Sequence, residues 1–164
     1  MEIVDLSRRR GAIVHMLSQV YDLMRHEGIE LPNMIIWKQE MGRAVIDINR
    51  RYVFALEGTK NVHGILFYRV STDGRSVFLD SLIADGRRSA LSAQIIDALL
   101  KKFEQDNEVK SCESIYIGRD IKREAADEIL ETVGLQDDTI FNTEGYQLLG
   151  GPGDAFKAIR IRYG

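Results

Sequence analysis

The spacing of hydrophobic positions along this chain changes several times, and each change marks an element. Ile13, Leu17, Val20 and Met24 lie on one stripe at three- and four-residue spacing, which predicts a helix over 7–26 after a short strand over 2–6. Gly28 closes that helix, and Pro32 blocks its continuation. Ile36, Met41, Ala44, Val45 and Ile48 predict a second helix over 33–48, loosened near Gly42, with Trp37 as a packing residue. The pattern then turns strand-like. Tyr52-Val53-Phe54-Ala55-Leu56 reads as a buried strand ended by Glu57-Gly58. The segments 62–70 and 76–84 read as strands of an antiparallel hairpin, joined through the turn Ser71-Thr72-Asp73-Gly74.

Helical spacing returns over 89–105, burying Leu91, Ile95, Ile96, Leu99, Leu100 and Phe103 and turning Gln94, Asp97, Lys101 and Lys102 outward. Ser114-Ile115-Tyr116-Ile117 predicts a strand, and Asp120 is placed to cap a helix reaching Val133 before Gly134. A short helical or irregular piece and a strand over 146–149 follow. Phe156, Ala158, Ile159 and Ile161 read as a terminal strand over 155–163. The sum is an α+β chain, a single domain over 1–164 with a mixed sheet, helices on both faces and no internal repeat.

Composition narrows the class. With 164 residues and 45% apolar content the chain can bury one core, and its two prolines argue against disorder. No apolar run approaches the roughly 20 residues of a membrane span, and Met1–Leu6 lacks the basic and apolar regions of a signal peptide. The single cysteine, Cys112, fits a reducing compartment and reads as a small buried hydrophobe, so a cytoplasmic protein is expected. A formal charge of −3 exerts no whole-chain pull toward nucleic acid or anionic membrane, and Arg8-Arg9-Arg10 reads as a solvated face. His15, His26 and His63 have no ligand spacing with one another or with Cys112, so no metal is expected.

The junction from Leu79 to Ile96 carries the strongest chemical signal. An apolar strand passes through a very short loop into a long amphipathic helix, whose first turn presents unsatisfied N–H groups and partial positive charge. Ser89, Ala90 and Ser92 are small enough for an anion to approach that backbone, and Arg87 and Arg88 stand beside it. Asp80 interrupts the apolar run of Val77, Phe78, Leu79, Leu82 and Ile83, and strict alternation would give it the parity of Leu82 and Ala84. A carboxylate on such a strand is either a base with a tuned pKa or a group that pairs with an arginine or caps a neighbouring backbone group. Glu57, before Gly58, is a second carboxylate candidate, and His63 is a candidate for proton handling.

The order β-α-α-β-β-β-α-β-α-β-β resembles the GNAT acyltransferase superfamily over nearly the whole chain. That fold implies a mixed sheet of about seven strands flanked by about four helices. Arg87-Arg88-Ser89-Ala90-Leu91-Ser92 is similar to the family's R-G-x-G-x-G/A turn, with the leading arginine kept and Arg88, Ala90 and Ser92 in place of the glycines; Ile95 and Ile96 fill the apolar pair that follows. The resemblance implies acetyl-CoA, its pyrophosphate held by the backbone over 87–92 and its thioester facing Leu82, Ile83 and Ala84. It also implies transfer of an acetyl group to a primary amine of a small molecule or peptide, by a monomer or homodimer. A CoA-binding or regulatory module without turnover is the alternative.

The family's late glycine-aromatic turn aligns with Gly145-Tyr146 or with Gly134-Leu135. The position four before the glycine, commonly a tyrosine that protonates the leaving thiolate, is then Phe141 or Leu130. Neither can donate a proton. Tyr116 and Tyr146 are the candidates to replace it, with Asp80 as the base.

Overall fold

The structure, a computed structural model, describes residues 1–58, 61–120 and 145–163. Six strands form one sheet in the order β1-β2-β3-β4-β5-β6: β1 (Glu2–Asp5), β2 (Arg50–Glu57), β3 (Asn61–Val70), β4 (Ser76–Ala84), β5 (Ser114–Asp120) and β6 (Gln147–Gly150). Neighbours are antiparallel except β4 and β5, which run parallel. The helices among the described residues are α1 (Arg10–Val14), α2 (Leu17–His26), α3 (Met34–Val45), α4 (Ser89–Gln105), α5 (Asn107–Ser111) and α6 (Pro152–Tyr163). Of these, α1, α2 and α3 cover one face of the sheet and α4, α5 and α6 the other, each over its own apolar cluster.

The predicted hairpin forms as read: β3 and β4 pair, and Gly74 takes the positive φ of 73° that the turn demands. The predicted helix over 7–26 divides into α1 and α2, yet Ile13, Leu17, Val20 and Met24 all remain buried. Arg10 departs from the solvated role expected of it. Its guanidinium donates to the carbonyls of Val45, Asp47 and Arg50, pinning the start of α1 to the end of α3; Arg8 and Arg9 stay at the surface.

The expected seven strands and four helices become six of each among the described residues, and the terminal strand over 155–163 is the helix α6. There Ala155 and Ile159 are fully buried at i, i+4 spacing while Ile161 is 81% exposed, so the helical period outweighs the apparent alternation. Pro152 opens the helix at the position where a missing N–H is harmless, and Arg160 clamps it to α4 through Glu104 at 2.7 Å and Asp97 at 2.9 Å. Asp120 is the last residue of β5. The helix predicted to run from it to Val133, and with it Leu130 and Phe141, falls outside the described residues.

Helix α4 lies against β3 and β4 with Ile95, Leu99 and Phe103 at no exposure, each contributing about 1.5–3 kcal/mol by burial. Gly64 makes this approach possible, since a Cβ there would sit 2.6 Å from Cγ2 of Ile95 and 3.1 Å from the Ile83 carbonyl oxygen. No helix among the described residues is long and apolar enough to cross a membrane.

Candidate functional site

Strand β4 carries both halves of the site, and a β-bulge separates them. Against β3 the register steps from Leu79↔Tyr68 to Ser81↔Phe67, so Asp80 is the extra residue there. Against β5 it steps from Leu79↔Ile117 to Ser81↔Asp120, and Asp80 is again passed over. The bulge overturns the expected parity. Leu82 and Ala84 pack in the α4-side cluster together with Leu79, whereas Asp80 lines a cavity of about 150 Å³ whose lining takes Tyr52 and Phe67 from the opposite cluster, Tyr68 from the α4-side one, and the arginines Arg50 and Arg51.

Asp80 and Tyr146, far apart in sequence, meet there. The Tyr146 hydroxyl donates a hydrogen bond to Oδ1 of Asp80, whose side chain is only 18% exposed. Burial, reinforced by the Asp80 charge and that hydrogen bond, raises the Tyr146 pKa and keeps its phenol protonated. Gly145 turns the chain into β6 with a positive φ of 85°. Gly118 on β5 makes room for the ring, because a Cβ there would come within 3.2 Å of Tyr146 Cε1. Tyr116 stands one ring removed: it stacks on Phe78 at 5.1 Å, and Phe78 in turn meets Tyr146 edge-on at 5.3 Å.

Sequence reasoning missed two cations at this site. Arg50 Nη1 lies 3.9 Å from Asp80 Oδ2, and the Arg69 guanidinium covers the rings of Phe78 at 4.7 Å and Tyr146 at 5.5 Å. Tyr52 reads from the sequence as a buried strand residue and nothing more. Its hydroxyl donates to the Ala44 carbonyl at 3.0 Å, fastening α3 over the cavity, and burial outweighs the nearby arginines to push its pKa up to about 12. Alternation exposes none of this, because an arginine at a strand position carries no mark of which partner the sheet will bring beside it.

The other half of the site begins where β4 ends. Leu82, Ile83 and Ala84 are buried and pair with Leu66, Ile65 and Gly64, while the β4–β5 register reaches only to Ser81↔Asp120. A single 3-10 turn, Gly86–Arg88, leads into α4, whose N-cap residue Arg88 makes no side-chain cap. Ala90 and Leu91 are exposed on the first turn, Leu91 at 38% against the expectation that it is buried; Ser92 follows at half exposure. Arg87, Arg88, Ser89, Ala90, Leu91 and Ser92 thus do come together at an open helix N-terminus, a place built for an anion.

Carboxylates of the chain itself already meet the charges of this loop. Arg87 bonds Asp85 at 2.9 Å and Asp22 at 3.0 Å, and Glu27 Oε2 accepts from the Gly86 N–H at 3.2 Å. Glu57 receives Arg88 at 2.7 Å and His63 at 2.9 Å. Arg88, and then His63, hold the Glu57 carboxyl below its usual pKa, which removes it as a general base. Burial raises the Asp85 pKa, but the hydrogen bonds from Arg87 more than offset it and the net shift is downward. His26, Glu27 and Asp85 bring one potential ligand atom each within 4.8 Å of one another, a grouping that no sequence spacing reveals, but Gly86 and Arg87 already engage both carboxylates. Cys112 is buried with a thiol pKa raised by that burial, as befits a packing residue.

The fold has known counterparts. The crystal structure of an aminoglycoside 6'-acetyltransferase of type Ii matches with a TM-score of 0.56 at 17% identity, over 83% of each chain. A protein from Desulfovibrio desulfuricans described as an acetyltransferase of the GNAT family matches with a TM-score of 0.52 at 13% identity, over 82% of this chain and 84% of its own. No family model matches the sequence, and no curated protein matches it. The chain has the GNAT acetyltransferase fold.

Proposed function

We propose that this chain is an acetyl-CoA-dependent N-acetyltransferase acting on a primary amine. The observation that carries the reading is the Asp80–Tyr146 hydrogen bond at the β4 bulge, a proton acceptor and a proton donor held together at the parallel β4–β5 seam. Bound acetyl-CoA supplies the activated thioester. The chain supplies the rest. The open N-terminus of α4, from the Gly86–Arg88 turn through Ser92, fits a pyrophosphate, because its N-cap offers no side chain to the helix N–H groups and Ala90 keeps the approach clear. Backbone at Leu82, Ile83 and Ala84, the end of β4 next to that helix start, would border the thioester of a bound acetyl-CoA.

An amine attacks only when neutral, so its ammonium form must lose a proton. Asp80 is the acceptor for that proton. Tyr146, kept in its protonated form, donates from its hydroxyl to the leaving thiolate, and the proton taken up by Asp80 restores it through their shared hydrogen bond. The second proton, which the nitrogen sheds once its bond to the acyl carbon has formed, passes to the freed Asp80 carboxylate and from there to solvent. Tyr116, stacked on Phe78, holds the ring assembly in place and has no direct part.

The self-paired loop favours one second reading, a CoA-binding module without turnover, since Glu27 and Glu57 occupy the groups that a pyrophosphate would claim. Thermal shift against CoA and acetyl-CoA, followed by thiol detection with an amine panel, separates the readings. A ligand at a hundred times its Kd stabilises by about 2.7 kcal/mol. No stabilisation at millimolar CoA overturns both, while stabilisation without amine-dependent thiol release leaves the binding module.

A further inference from the structure

The cavity beside Asp80 contains a group that the acyl-transfer reading leaves without a role. Arg50 Nε is buried and makes no hydrogen bond among the described residues. Its nearest carboxylates are those of Asp47, at 3.5 Å from Nε, and Asp80, at 3.9 Å from Nη1. A buried guanidinium N–H without an acceptor is costly, and such groups in a folded protein call for an explanation. Arg50 lines the cavity, its side chain is 33% exposed, and Arg69 adds a second positive charge over Phe78 and Tyr146. Among the described residues, the charged residues lining this space are Arg50, Arg51 and Asp80; Asp47 pairs with Arg50 at 3.5 Å, and Glu108 is already engaged by Arg51 at 2.8 Å.

We propose that Arg50 is a specificity-determining residue that binds a carboxylate of the acceptor, so that the acceptor class is an amine bearing a nearby carboxylate, a free amino acid. This rests on the N-acetyltransferase reading for its chemistry but not for its binding. Guanidinium and carboxylate match as a planar, two-point pair, and an acceptor carboxylate would meet the exposed edge of an Arg50 guanidinium whose own ion pairs, at 3.5 and 3.9 Å, are long. Because Nη1 of Arg50 and Oδ2 of Asp80 are 3.9 Å apart, a ligand bridging them must carry its amine and its carboxylate close together. The cavity of about 150 Å³ has the space of about five waters, which suits such a ligand. A polycation meets the opposite circumstance: its further ammonium groups would lie against Arg50 and Arg51.

The test is an acetylation assay with alanine, serine, glutamate and phenylalanine, each beside its own amide, and a small diamine. The acids are expected to exceed their amides in kcat/KM by about tenfold to a hundredfold, the range of a charge-assisted hydrogen bond. Arg50→Gln should raise KM for the acids toward that of their amides and so collapse the acid-to-amide ratio of kcat/KM, whatever it does to the rate common to both, with Arg50→Lys recovering part of the ratio. Amides or the diamine used as well as the acids would overturn the proposal. So would loss of CoA-induced thermal stabilisation in Arg50→Gln, which would assign Arg50 to a cofactor phosphate. If no amine is acetylated, or CoA does not bind, the acyltransferase reading fails separately. Ligand-observed NMR titration of the same acids and amides then decides: acid-selective binding lost in Arg50→Gln upholds the site, and binding without that selectivity, or no binding, ends it.

Discussion

The two ends of the site lie four residues apart on one strand, Asp80 at the bulge and Ala84 at the loop, and they are finished to different degrees. At the loop Asp22, Glu27, Glu57 and Asp85 answer Arg87, Arg88 and the Gly86 N–H. At the bulge a tyrosine hydroxyl meets Asp80, an arginine stands beyond hydrogen-bond distance, and that arginine keeps a buried N–H with no acceptor among the described residues. The loop can hold its shape without a ligand, so an incoming anion must displace carboxylates. The bulge offers an incoming group a guanidinium held only by long ion pairs to Asp47 and Asp80. An open helix N-terminus marks where an anion fits, whereas a cavity-lining arginine whose Nε has no hydrogen bond among the described residues marks where one would meet the least competition.

The largest effect should come from the unfinished end. Asp80→Asn keeps the side-chain shape and removes the proton acceptor, so kcat/KM should fall about 10²- to 10⁴-fold while CoA still raises the melting temperature. A variant within a factor of three of the parent would remove Asp80 from the chemistry. Tyr146→Phe should fall short of that loss, and its alkaline activity limb should shift if the phenol is the donor.

At the finished end, Gly64→Ala tests how tightly α4 is seated. The added Cβ would contact Ile95, the Ile83 carbonyl and Leu99, two of them side chains with little room to move. Destabilisation of about 1–3 kcal/mol is expected, read as a lowered midpoint in urea. An unchanged midpoint would show that α4 can slide, and with it the anion loop.

Tyr52 ties the cavity to alkaline stability. Its folded pKa of about 12 lies above the ordinary value of 10, so its contribution is fully present below pH 10 and is lost as pH rises from 10 to 12. Two pH units correspond to at most about 3 kcal/mol, and to less where water screens the hydroxyl end of the ring. Tyr52→Phe should flatten the decline while costing about 1 kcal/mol at neutral pH for the lost bond to Ala44. Parallel stability curves for the two proteins would refute the assignment.

The smallest effect concerns the loop's own carboxylate. Glu27→Gln removes a negative charge from the Gly86 N–H and should tighten CoA binding a few-fold by calorimetry. Weaker binding would mean that Glu27 shapes the loop for its ligand instead of competing with it.

Much of this was legible in the chain. The apolar stripe of Ile95, Leu99 and Phe103 marked α4, the Asp73-Gly74 step marked the hairpin, and small residues after two arginines marked the helix N-terminus, because each depends on neighbours within a few positions. Asp80 stood out as a charge in an apolar strand. Its orientation did not, since one inserted residue reverses every later side chain and a bulge leaves no trace in an alternating pattern. Likewise Phe156, Ile159 and Ile161 fit strand or helix until packing against α4 buried Ala155 and Ile159 together.

By itself, then, the sequence determined the α+β class, the strands from β1 to β5, the apolar faces, the anion-ready start of α4 and the candidates Asp80, Tyr116 and Tyr146. Only the tertiary structure decided that Tyr146 is that tyrosine, that Glu27 and Glu57 sit on the loop, and that Arg50 is drawn into the cavity with a donor unanswered. The reason is physical. Local patterns record what a residue needs from water and from its own turn, while a charge's partner is decided by whichever strand the sheet brings beside it.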